Sequence, residues 1–571
     1  MSARPRISRR DAAHLAKMAL LLSLIISGLL RADETDPASV RCRRGVVVSV
    51  SGPASDVGVA ILKQGGNAVD SAIATAFALA VTHPAAGNLG GGGYMLVVPA
   101  AGESLVVDFR EIAPAAATRE MFVDPAGRTP QRRVGVPGTV RGLALAHFRR
   151  GRLPWRDLVQ PAVVLAEDGF LLEKTTAESL NHLLASSDQS RFAELHRVFG
   201  KPDGAVWRAG DKLRQPDLAH TLGLIAERGA DGFYLGEVAE MMVAEMKRGD
   251  GLITADDLAR YRPIPRQPLR GTYRGYEVIS VPPSSSGGTT LIEALNILEC
   301  FELDPQRDSP ANVHHLAEAM RRAYRDRARY LGDPDVMLPP LQLLQKEHAR
   351  RLAASITNKA TASADLAGDI ELSHESEQTT HFSVVDEDRT AVSLTYTLEN
   401  SYGSRVVVTG AGFLLNDEMN DFNWLPGVTN SSGRIGTEPN LVRPGRRMLS
   451  SMCPTMLARD GKVVLVTGSP GGRTIINTVV CVITNVVDFK MDVRSAVDAP
   501  RLHHGWFPDS IRLEPAWFTQ SPELADELRK RGHTLAPYTL QGDAHSIWID
   551  QKTGELTGAA DRRIQGHAAG Y

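Results

Sequence analysis

The sequence predicts a fold of mixed α-helices and β-strands, either α+β or a layered αββα arrangement. Residues 68–81 are apolar almost all the way round, which predicts a buried helix. After Gln378, apolar and polar residues alternate as they do in a β-hairpin. A third strand over residues 463–467 leads through a glycine-rich turn into an apolar helical run over 475–487.

Other segments fit the same pattern. Thr82-His83-Pro84 ends the buried helix, and Asn88 begins a glycine-rich turn that lacks the spacing of a nucleotide-binding loop. Three more strands are predicted over residues 45–51, 95–99 and 104–109, and four more helices over 143–148, 161–167, 218–228 and 312–330.

The predicted hairpin begins at Thr379. Phe382 and Val384 alternate with polar residues on its first strand, residues 392–398 do so on its second, and 386–389 form the turn. Thr397 and Glu399 are two residues apart, so we expect them on one face of the second strand.

The composition is that of an ordinary globular protein. The 571 residues include 64 Lys+Arg and 66 Asp+Glu, and the net charge of -2 gives no electrostatic reason to bind nucleic acid or an acidic membrane. The cysteines, Cys42, Cys300, Cys453 and Cys481, lack metal-binding spacing and are expected to be buried, with a disulfide left open. No metal or other cofactor is expected.

Residues 1–32 resemble an export signal. Several basic residues precede an apolar run over 19–30, which is shorter than the roughly 20 residues of a membrane span. Ser8-Arg9-Arg10 is similar to a twin-arginine motif, and cleavage is predicted near Ala32. We therefore expect a periplasmic or extracellular protein with no stable membrane span, and an uncleaved anchor is the alternative.

The most informative stretch is Thr379-Thr380, at the head of the hairpin. A threonine inside a chain is a poor nucleophile, whereas one at a new N-terminus is a good one because its own α-amine can act as the base. A cut before Thr379 would create an active site, and Thr380 is the alternative first residue. The serine run 284–286 lacks a G-x-S-x-G elbow and is interpreted as a loop.

Two further groups could contact a substrate. Gly471-Gly472 at a helix start could present backbone N–H groups to an oxyanion, although a structural turn explains the same residues. Glu418, Asp421, the pair Ser450-Ser451 and a distant arginine could bind a zwitterion, although solvated loop charges explain the same spacing.

Ordered motifs across residues 45–571, essentially the whole mature chain, resemble the gamma-glutamyltransferase family, also called glutathione hydrolases. The motifs that carry the resemblance are Thr379-Thr380-His381-Phe382-Ser383, Asp108-Phe109-Arg110-Glu111-Ile112-Ala113-Pro114, Val136-Pro137-Gly138, residues 282–288, residues 321–335, Leu449-Ser450-Ser451-Met452, Gly468-Ser469-Pro470-Gly471-Gly472 and Asp561-Arg562-Arg563.

The resemblance implies a four-layer αββα N-terminal-nucleophile hydrolase that cuts itself between Gln378 and Thr379. Residues 33–378 would form the large subunit and residues 379–571 the small one, and both would remain in one structural domain. Thr379 would then attack the γ-glutamyl amide of compounds such as glutathione and pass the acyl group to water, an amino acid or a dipeptide.

Carried over position by position, the resemblance also implies a reacting end and a binding end of the site. The reacting end comprises Thr379, Thr397, Gly471 and Gly472, and the binding end comprises Arg110, Ser450 and Ser451 for the substrate α-carboxylate and Glu418 and Asp421, with Glu399, for its α-ammonium.

Two features depart from the commoner family pattern. Glu399 stands where several members have Asn, and loop 426–443 has the length of a lid but lacks, in its middle, the aromatic gate of some lids. Two other functions stay open: an acylase of the same fold acting on poly-γ-glutamate or on glutaryl or cephalosporin side chains, and an uncleaved, non-catalytic binding protein.

Overall fold

The computed structural model describes residues 36–338, 340–367, 379–428 and 436–571. The predicted signal over residues 1–32, Gln378 and the middle of the predicted lid lie outside these ranges. Across the described ranges, every helix is too short or too polar to cross a membrane.

Two seven-stranded sheets lie at the centre of the molecule. The strands, numbered in chain order, are β1 (Ser39–Cys42), β2 (Val46–Ser49), β3 (Gly92–Val98), β4 (Leu105–Asp108), β5 (Phe170–Leu171), β6 (Lys212–Leu213), β7 (Ile264–Arg266), β8 (Leu269–Tyr273), β9 (Tyr276–Ser280), β10 (Thr380–Val385), β11 (Ala391–Thr397), β12 (Thr455–Arg459), β13 (Lys462–Thr467), β14 (Leu502–His503), β15 (Ile511–Leu513), β16 (Leu535–Pro537), β17 (Ser546–Ile549), β18 (Leu556–Ala559) and β19 (His567–Gly570).

Helices cover the outer faces of both sheets. They are α1 (Gly52–Lys63), α2 (Ala68–Thr82), α3 (Thr139–Arg150), α4 (Trp155–Asp168), α5 (Lys174–Ala185), α6 (Ala193–Phe199), α7 (Pro216–Arg228), α8 (Asp231–Tyr234), α9 (Glu237–Arg248), α10 (Ala255–Arg260), α11 (Gly287–Leu298), α12 (Pro310–Tyr330), α13 (Lys346–Ala354), α14 (Thr474–Val487), α15 (Val493–Asp498), α16 (Pro515–Gln520) and α17 (Pro522–Lys530).

Each sheet interleaves strands from before and after Thr379. The first sheet has the order β1-β18-β17-β13-β12-β9-β8, and the second has the order β19-β2-β10-β11-β3-β4-β7. The predicted hairpin, β10 and β11, is therefore inserted between β2 and β3 and is hydrogen-bonded on both sides. Two small sheets, β14-β15-β16 and β5-β6, lie outside this pair.

Three apolar clusters separate the layers. One lies between the two sheets and includes Val48, Leu96 and Met456. A second joins the β10–β11 sheet to α1, α2 and the helices around them, and a third joins the other sheet to α11, α12 and α14. This arrangement is the predicted αββα sandwich, and each interface buries apolar side chains away from water.

The hairpin is buried on both faces, which its alternating sequence did not predict. Phe382 and Leu394 pack into the cluster beneath the helices. The polar face turns toward the other sheet, where His381 Nδ1 lies 2.9 Å from Thr395 Oγ1 and Ser393 Oγ donates to the carbonyl of Thr467 at 3.0 Å. Polar residues alternate here because they hydrogen-bond between the sheets, where unpaired polar groups would be costly.

Most predicted helices and strands are confirmed, and the differences have local causes. The predicted helix at 161–167 begins earlier, at Trp155, and contains Pro161. The glycine-rich turn ends in β3, because its last glycines pack against backbone: a Cβ on Gly93 would lie 2.3 Å from the carbonyl oxygen of Thr395. The C-terminal strands β17 to β19 were not predicted. All four cysteines lie in the described ranges and are free; Cys453 and Cys481 are buried as expected, whereas Cys42 is only partly buried and Cys300 is exposed.

Candidate active site

A small cavity, partly open to solvent, lies beside the first residue of the hairpin. It gathers nearly all the residues that the family resemblance implied, although they come from widely separated parts of the sequence. The lining residues are Arg110, Thr379, Thr397, Glu399, Glu418, Asp421, Ser450, Ser451, Met452, Gly472 and Ile475. Met452 and Ile475 are the lining residues that sequence reasoning missed; they supply apolar walls between polar groups.

Strand pairing brings Thr379 and Thr397 together. The β10–β11 register pairs Thr380 with Tyr396; Thr379 directly precedes this pair on one side, and Thr397 directly follows it on the other. Side chains at directly opposed positions have Cβ atoms about 4.5–5.5 Å apart. Both residues are buried and line the cavity, so the hairpin fixes one hydroxyl next to the other.

Thr397 is held by contacts on both sides. The side-chain amide of Asn88 donates to its carbonyl at 2.9 Å, and its Oγ1 accepts the N–H of Glu399 at 2.8 Å. Gly91 passes so close that a Cβ there would lie 1.9 Å from the Thr397 carbonyl oxygen. The glycine-rich run at residues 88–94 therefore lets the backbone pack against the end of β11.

Gly471 and Gly472 form the turn between β13 and α14. Both have positive φ, at 124° and 52°, a region that favours glycine. Gly472 lines the cavity, Gly471 precedes it, and within the described ranges neither N–H donates to a backbone carbonyl. Two N–H groups beside the start of an apolar helix match the predicted oxyanion site in position.

The opposite end of the cavity is strongly charged. Arg110 is fully buried and forms ion pairs with Glu418 and Asp421, while Glu111 Oε2 lies 3.6 Å from its Nη1. The Arg110 side chain also donates to the carbonyls of Met448 and Leu449 at 3.3 and 3.4 Å. The predicted carboxylate-binding and ammonium-binding groups are thus paired with each other in this structure.

A 3-10 turn over Glu418–Asp421 presents the two acids on one side, because residues three apart coincide in that helix. One oxygen of Glu418 is buried and has no hydrogen-bond partner in the described part of the chain. Burial raises the pKa of Glu418 well above its ordinary value despite the nearby Arg110 guanidinium. Burial likewise raises the pKa of Glu111 to about 7.

The predicted position of Glu399 on the second strand is wrong. β11 ends at Thr397, and Glu399 lies beyond it in a turn with φ of 79°. The turn still directs its carboxylate into the cavity, where burial and then the carboxylates of Asp421 and Glu418 raise its pKa well above the ordinary value. Its Oε1 is buried without a hydrogen-bond partner among the described residues.

Among the described residues, carboxylate and histidine groups converge at three places, although the sequence has no metal-binding motif. One group, Glu399, Glu418 and Asp421, is the acidic end of the cavity, with ligand atoms within 4.8 Å of one another. Arg110 already neutralises part of this charge, which suits a monovalent ammonium group. The other two groups are His314, Glu318 and His533, and Glu293, Asp326 and His348. The expectation that the protein binds no metal stays a prediction.

The described ends of the predicted lid lie close together. The N–H of Gly427 donates to the carbonyl of Gly436 at 3.0 Å. Asn440 then links this loop to the site, because its side chain donates to the Asp421 carbonyl at 2.6 Å and accepts the N–H of Leu449 at 2.8 Å. The role of the loop as a lid stays a prediction.

Known proteins resemble this chain over nearly its whole length. Glutathione hydrolase proenzymes from Escherichia coli K12 and Pseudomonas aeruginosa are 44% and 41% identical to it; the matches cover 93% and 91% of this chain and 93% and 94% of those proteins. Helicobacter pylori gamma-glutamyltranspeptidase is 39% identical, with a TM-score of 0.52 over 57% of this chain and 94% of that one.

A cephalosporin acylase from Bacillus halodurans, 28% identical, superimposes with a TM-score of 0.82 over 95% of this chain and 98% of that one. These similarities agree with the αββα architecture. Residues 54–571 match the gamma-glutamyltranspeptidase family model, and the chain therefore belongs to that family.

Proposed function

We propose that Thr379, once freed by self-cleavage, is the nucleophile of this γ-glutamyl hydrolase/transferase. The observation that carries the proposal is the shape of one cavity. Thr379 and Thr397 line it together with a buried arginine, acids and serines. That combination of groups suits a substrate with a reactive amide at one end and an amino-acid group at the other.

Self-cleavage would use the same hydroxyl. Thr379 Oγ1 attacks the carbonyl carbon of Gln378, the C–N bond breaks, and the acyl group moves from nitrogen to oxygen as an ester. Water hydrolyses the ester, which leaves a carboxylate on Gln378 and a free α-amine on Thr379. An N-terminal amine has a reference pKa of about 7.7–8.0, so near neutral pH a useful fraction can accept a proton.

In turnover, the Thr379 hydroxyl would give its proton to that amine and attack the γ-carbonyl carbon of the substrate. The N–H groups of Gly471 and Gly472 would stabilise the oxyanion that develops. The protonated amine then gives its proton to the leaving nitrogen, and a γ-glutamyl ester remains on Thr379. Water or the amine of an amino acid or dipeptide attacks this ester in a second, equivalent step.

The binding end would work by exchange of ion pairs. A γ-glutamyl group carries an α-carboxylate for Arg110 and an α-ammonium for Glu418 and Asp421, so each internal partner is replaced by one of equal charge. A glutaryl group lacks the ammonium. It would separate Arg110 from its acids and leave buried carboxylates unpaired, which costs several kcal/mol, about 3–5 when a buried pair is broken.

The interleaved sheets support two subunits that remain associated after cleavage. β10 and β11, from the proposed small subunit, are hydrogen-bonded between β2 and β3 of the large one. Strand β19 also pairs with β2. The subunits would therefore separate only if both sheets were disrupted, and we propose that they act as one exported domain after removal of residues 1–32.

Thr379→Ala tests the nucleophile, with Thr380→Ala as the matched control on the next residue. We expect the purified wild type to contain two chains, the smaller beginning at Thr379, and to release p-nitroaniline from γ-glutamyl-p-nitroanilide. Thr379→Ala should remain one chain and lose activity by about 10³-fold or more. Activity in an uncut Thr379→Ala chain would overturn the proposal. A small chain beginning at Thr380 in the wild type would assign Thr380, not Thr379, as the nucleophile.

Turnover of γ-glutamyl and glutaryl anilides tests the substrate class. The fold similarity to a cephalosporin acylase is the specific reason to include glutaryl compounds. We expect kcat/KM to favour the γ-glutamyl anilide by about 30-fold or more, because only that substrate pairs with the acids around Arg110. A preference for the glutaryl anilide would assign the acylase function instead.

A further inference from the structure

We infer that Arg327 is a positioning residue that fixes Ser451, alongside Ser450, as a hydrogen-bond donor and so selects an anionic group at this end of the cavity. The inference rests on the proposed function, because it concerns how the α-carboxylate of the same substrate is recognised. Arg327 lies on α12, is 1% exposed and does not line the cavity.

The contacts of the two serines determine which way their protons point. The N–H of Met452 donates to Ser450 Oγ at 3.0 Å, and Arg327 Nη2 donates to Ser451 Oγ at 2.9 Å. Both contacts use lone pairs of the hydroxyl oxygens, and in the described part of the chain neither hydroxyl donates a hydrogen bond. Each serine therefore keeps its single proton for a group in the cavity.

Arg327 fixes the direction of its hydrogen bond with Ser451: the guanidinium donates and the hydroxyl oxygen accepts. A guanidinium has only donors, so Ser451 cannot turn its proton toward it. A hydrogen bond from a charged donor also polarises the hydroxyl and strengthens the bond that the hydroxyl donates onward. A buried positive charge behind Ser451 favours a carboxylate over a neutral amide and disfavours an ammonium group at the same place.

The serine run at residues 284–286 connects Arg327 to the same loop. Arg327 Nε donates to Ser286 Oγ at 2.8 Å, while the Ser286 N–H and hydroxyl both donate to the carbonyl of Ser450, at 2.8 and 2.6 Å. The Ser450 N–H in turn donates to the carbonyl of Ser284 at 3.2 Å. This explains a serine run that lacks the features of a nucleophile: it supports the loop that binds the carboxylate.

The two loops pack backbone against backbone, which makes the support rigid. A Cβ on Gly287 would lie 2.1 Å from the carbonyl oxygen of Met452, so only glycine fits there. The planar fork of Arg327 holds Ser286 through one nitrogen and Ser451 through another. A lysine has a single point charge and cannot hold both hydroxyls in the same way.

The test compares two substrates that differ only at the α-position. One is γ-glutamyl-p-nitroanilide, and the other carries an α-carboxamide in place of the α-carboxylate. For Arg327→Gln we expect kcat/KM for the carboxylate substrate to fall by about 10- to 100-fold, mainly through KM. For the amide substrate, kcat/KM should change less than about threefold. The ratio of kcat/KM for the carboxylate substrate to that for the amide substrate should therefore fall about tenfold.

Arg322→Gln is the matched control, because it removes another buried guanidinium from α12 that bonds to Glu318 and Ser355. It should lower the melting temperature without changing the substrate ratio. Cleavage into two chains confirms folding of each variant. Arg327→Lys provides a milder change, for which we expect a ratio between those of the wild type and Arg327→Gln.

A double-mutant cycle shows whether Arg327 acts through Ser451. In a Ser451→Ala background, Arg327→Gln should cause little further narrowing of the ratio, because its target hydroxyl is gone. An equal loss for both substrates, an unchanged ratio, or the same narrowing with and without Ser451 would overturn the inference. A wild type that turns over neither anilide would instead overturn the proposed function.

Discussion

The two binding regions of the cavity are built in opposite ways. At the carboxylate end, Ser450 and Ser451 accept hydrogen bonds from neighbours that leave their protons directed toward a ligand. At the ammonium end, Glu399 and Glu418 each have a buried oxygen without a partner among the described residues, and burial raises both pKa values. The two serine hydroxyls are oriented before substrate arrives, whereas the acids and Arg110 change partners when it binds.

The two regions therefore contribute differently to recognition: one orients the ligand, and the other selects its charge. Serine hydroxyls that are already oriented need little reorganisation when a ligand binds, so Ser450 and Ser451 provide orientation. Neighbouring buried carboxylates repel one another, which raises their pKa values and favours binding of a cation. The ammonium end therefore contributes charge selectivity. Variants at the two ends should therefore differ in how they affect stability, KM and pH dependence.

Replacing Arg110 should have the largest effect, because this residue serves both ends. Arg110→Met leaves Glu418 and Asp421 buried without their cation, and the loss of one partner of a buried pair costs about 3–5 kcal/mol. We expect kcat/KM to fall by about 10³-fold and the melting temperature to fall as well. Arg110→Lys retains the charge and should recover stability more than activity, since it cannot pair with two carboxylates at once.

The measurement is kcat/KM for γ-glutamyl-p-nitroanilide together with thermal unfolding at pH 7. If Arg110→Met unfolded at the same temperature as the wild type, the acids would not depend on this guanidinium. The buried carboxylates of the ammonium end would then destabilise the fold no more than the serines of the carboxylate end do.

The double variant Ser450→Ala with Ser451→Ala should have the next largest effect, and only on binding. It removes two donors to a charged group, so we expect kcat/KM to fall by about 100-fold, mainly through KM. Stability should change little, because the loop is held by the backbone of Ser450. Ser363→Ala removes an equally buried hydroxyl away from the cavity and is the control; a larger fall in melting temperature for the double variant would contradict the comparison.

Much of the secondary structure and of the cavity lining could be predicted from the sequence, because the patterns that indicate them are local. The alternation around Thr379 predicts a hairpin, and the apolar run at residues 68–81 predicts a buried helix; both are confirmed. Ordered motifs then identified the family and most of the cavity lining. These features depend on short-range periodicity or on chemistry that tolerates few substitutions.

The rest depends on contacts between distant segments. Neither Arg327 nor Ser286 has a local pattern that links it to Ser451; the link exists only because α12 and loop 284–286 meet residues 450–451. The convergence of His314 and His533 is equally invisible in sequence spacing. The turn at Glu399 was mispredicted because β-periodicity was extended beyond Thr397, where the backbone leaves the strand.

Glu399→Gln should have a moderate effect that depends on pH. Because the pKa of Glu399 is raised in the folded protein, the folded chain holds more protons than the unfolded chain between the ordinary glutamate pKa and the raised one. This group therefore lowers stability as pH rises through that window. Glu399→Gln lacks the effect, so its melting temperature should exceed that of the wild type by more at pH 8 than at pH 5.

The same variant should raise KM for the γ-glutamyl anilide by about 3- to 10-fold at pH 8, because one negative charge near the ammonium is lost. The KM values should converge as the pH falls, because protonation of Glu399 in the wild type removes the same negative charge. Parallel pH profiles for the two proteins would show that Glu399 does not titrate in this range. The ammonium end would then lack the charge strain inferred for it.

Glu399→Asn should have the smallest effect, one that isolates the backbone from the charge. Glu399 has φ of 79°, and asparagine adopts this left-handed region more readily than glutamate or glutamine. We expect Glu399→Asn to melt about 1–3 °C above Glu399→Gln at pH 7, because both lack the charge and only asparagine relieves the backbone. Equal melting temperatures would show that Glu399 destabilises the fold only through its buried carboxylate and not through its backbone conformation. The difference between the two ends of the cavity would then be purely electrostatic.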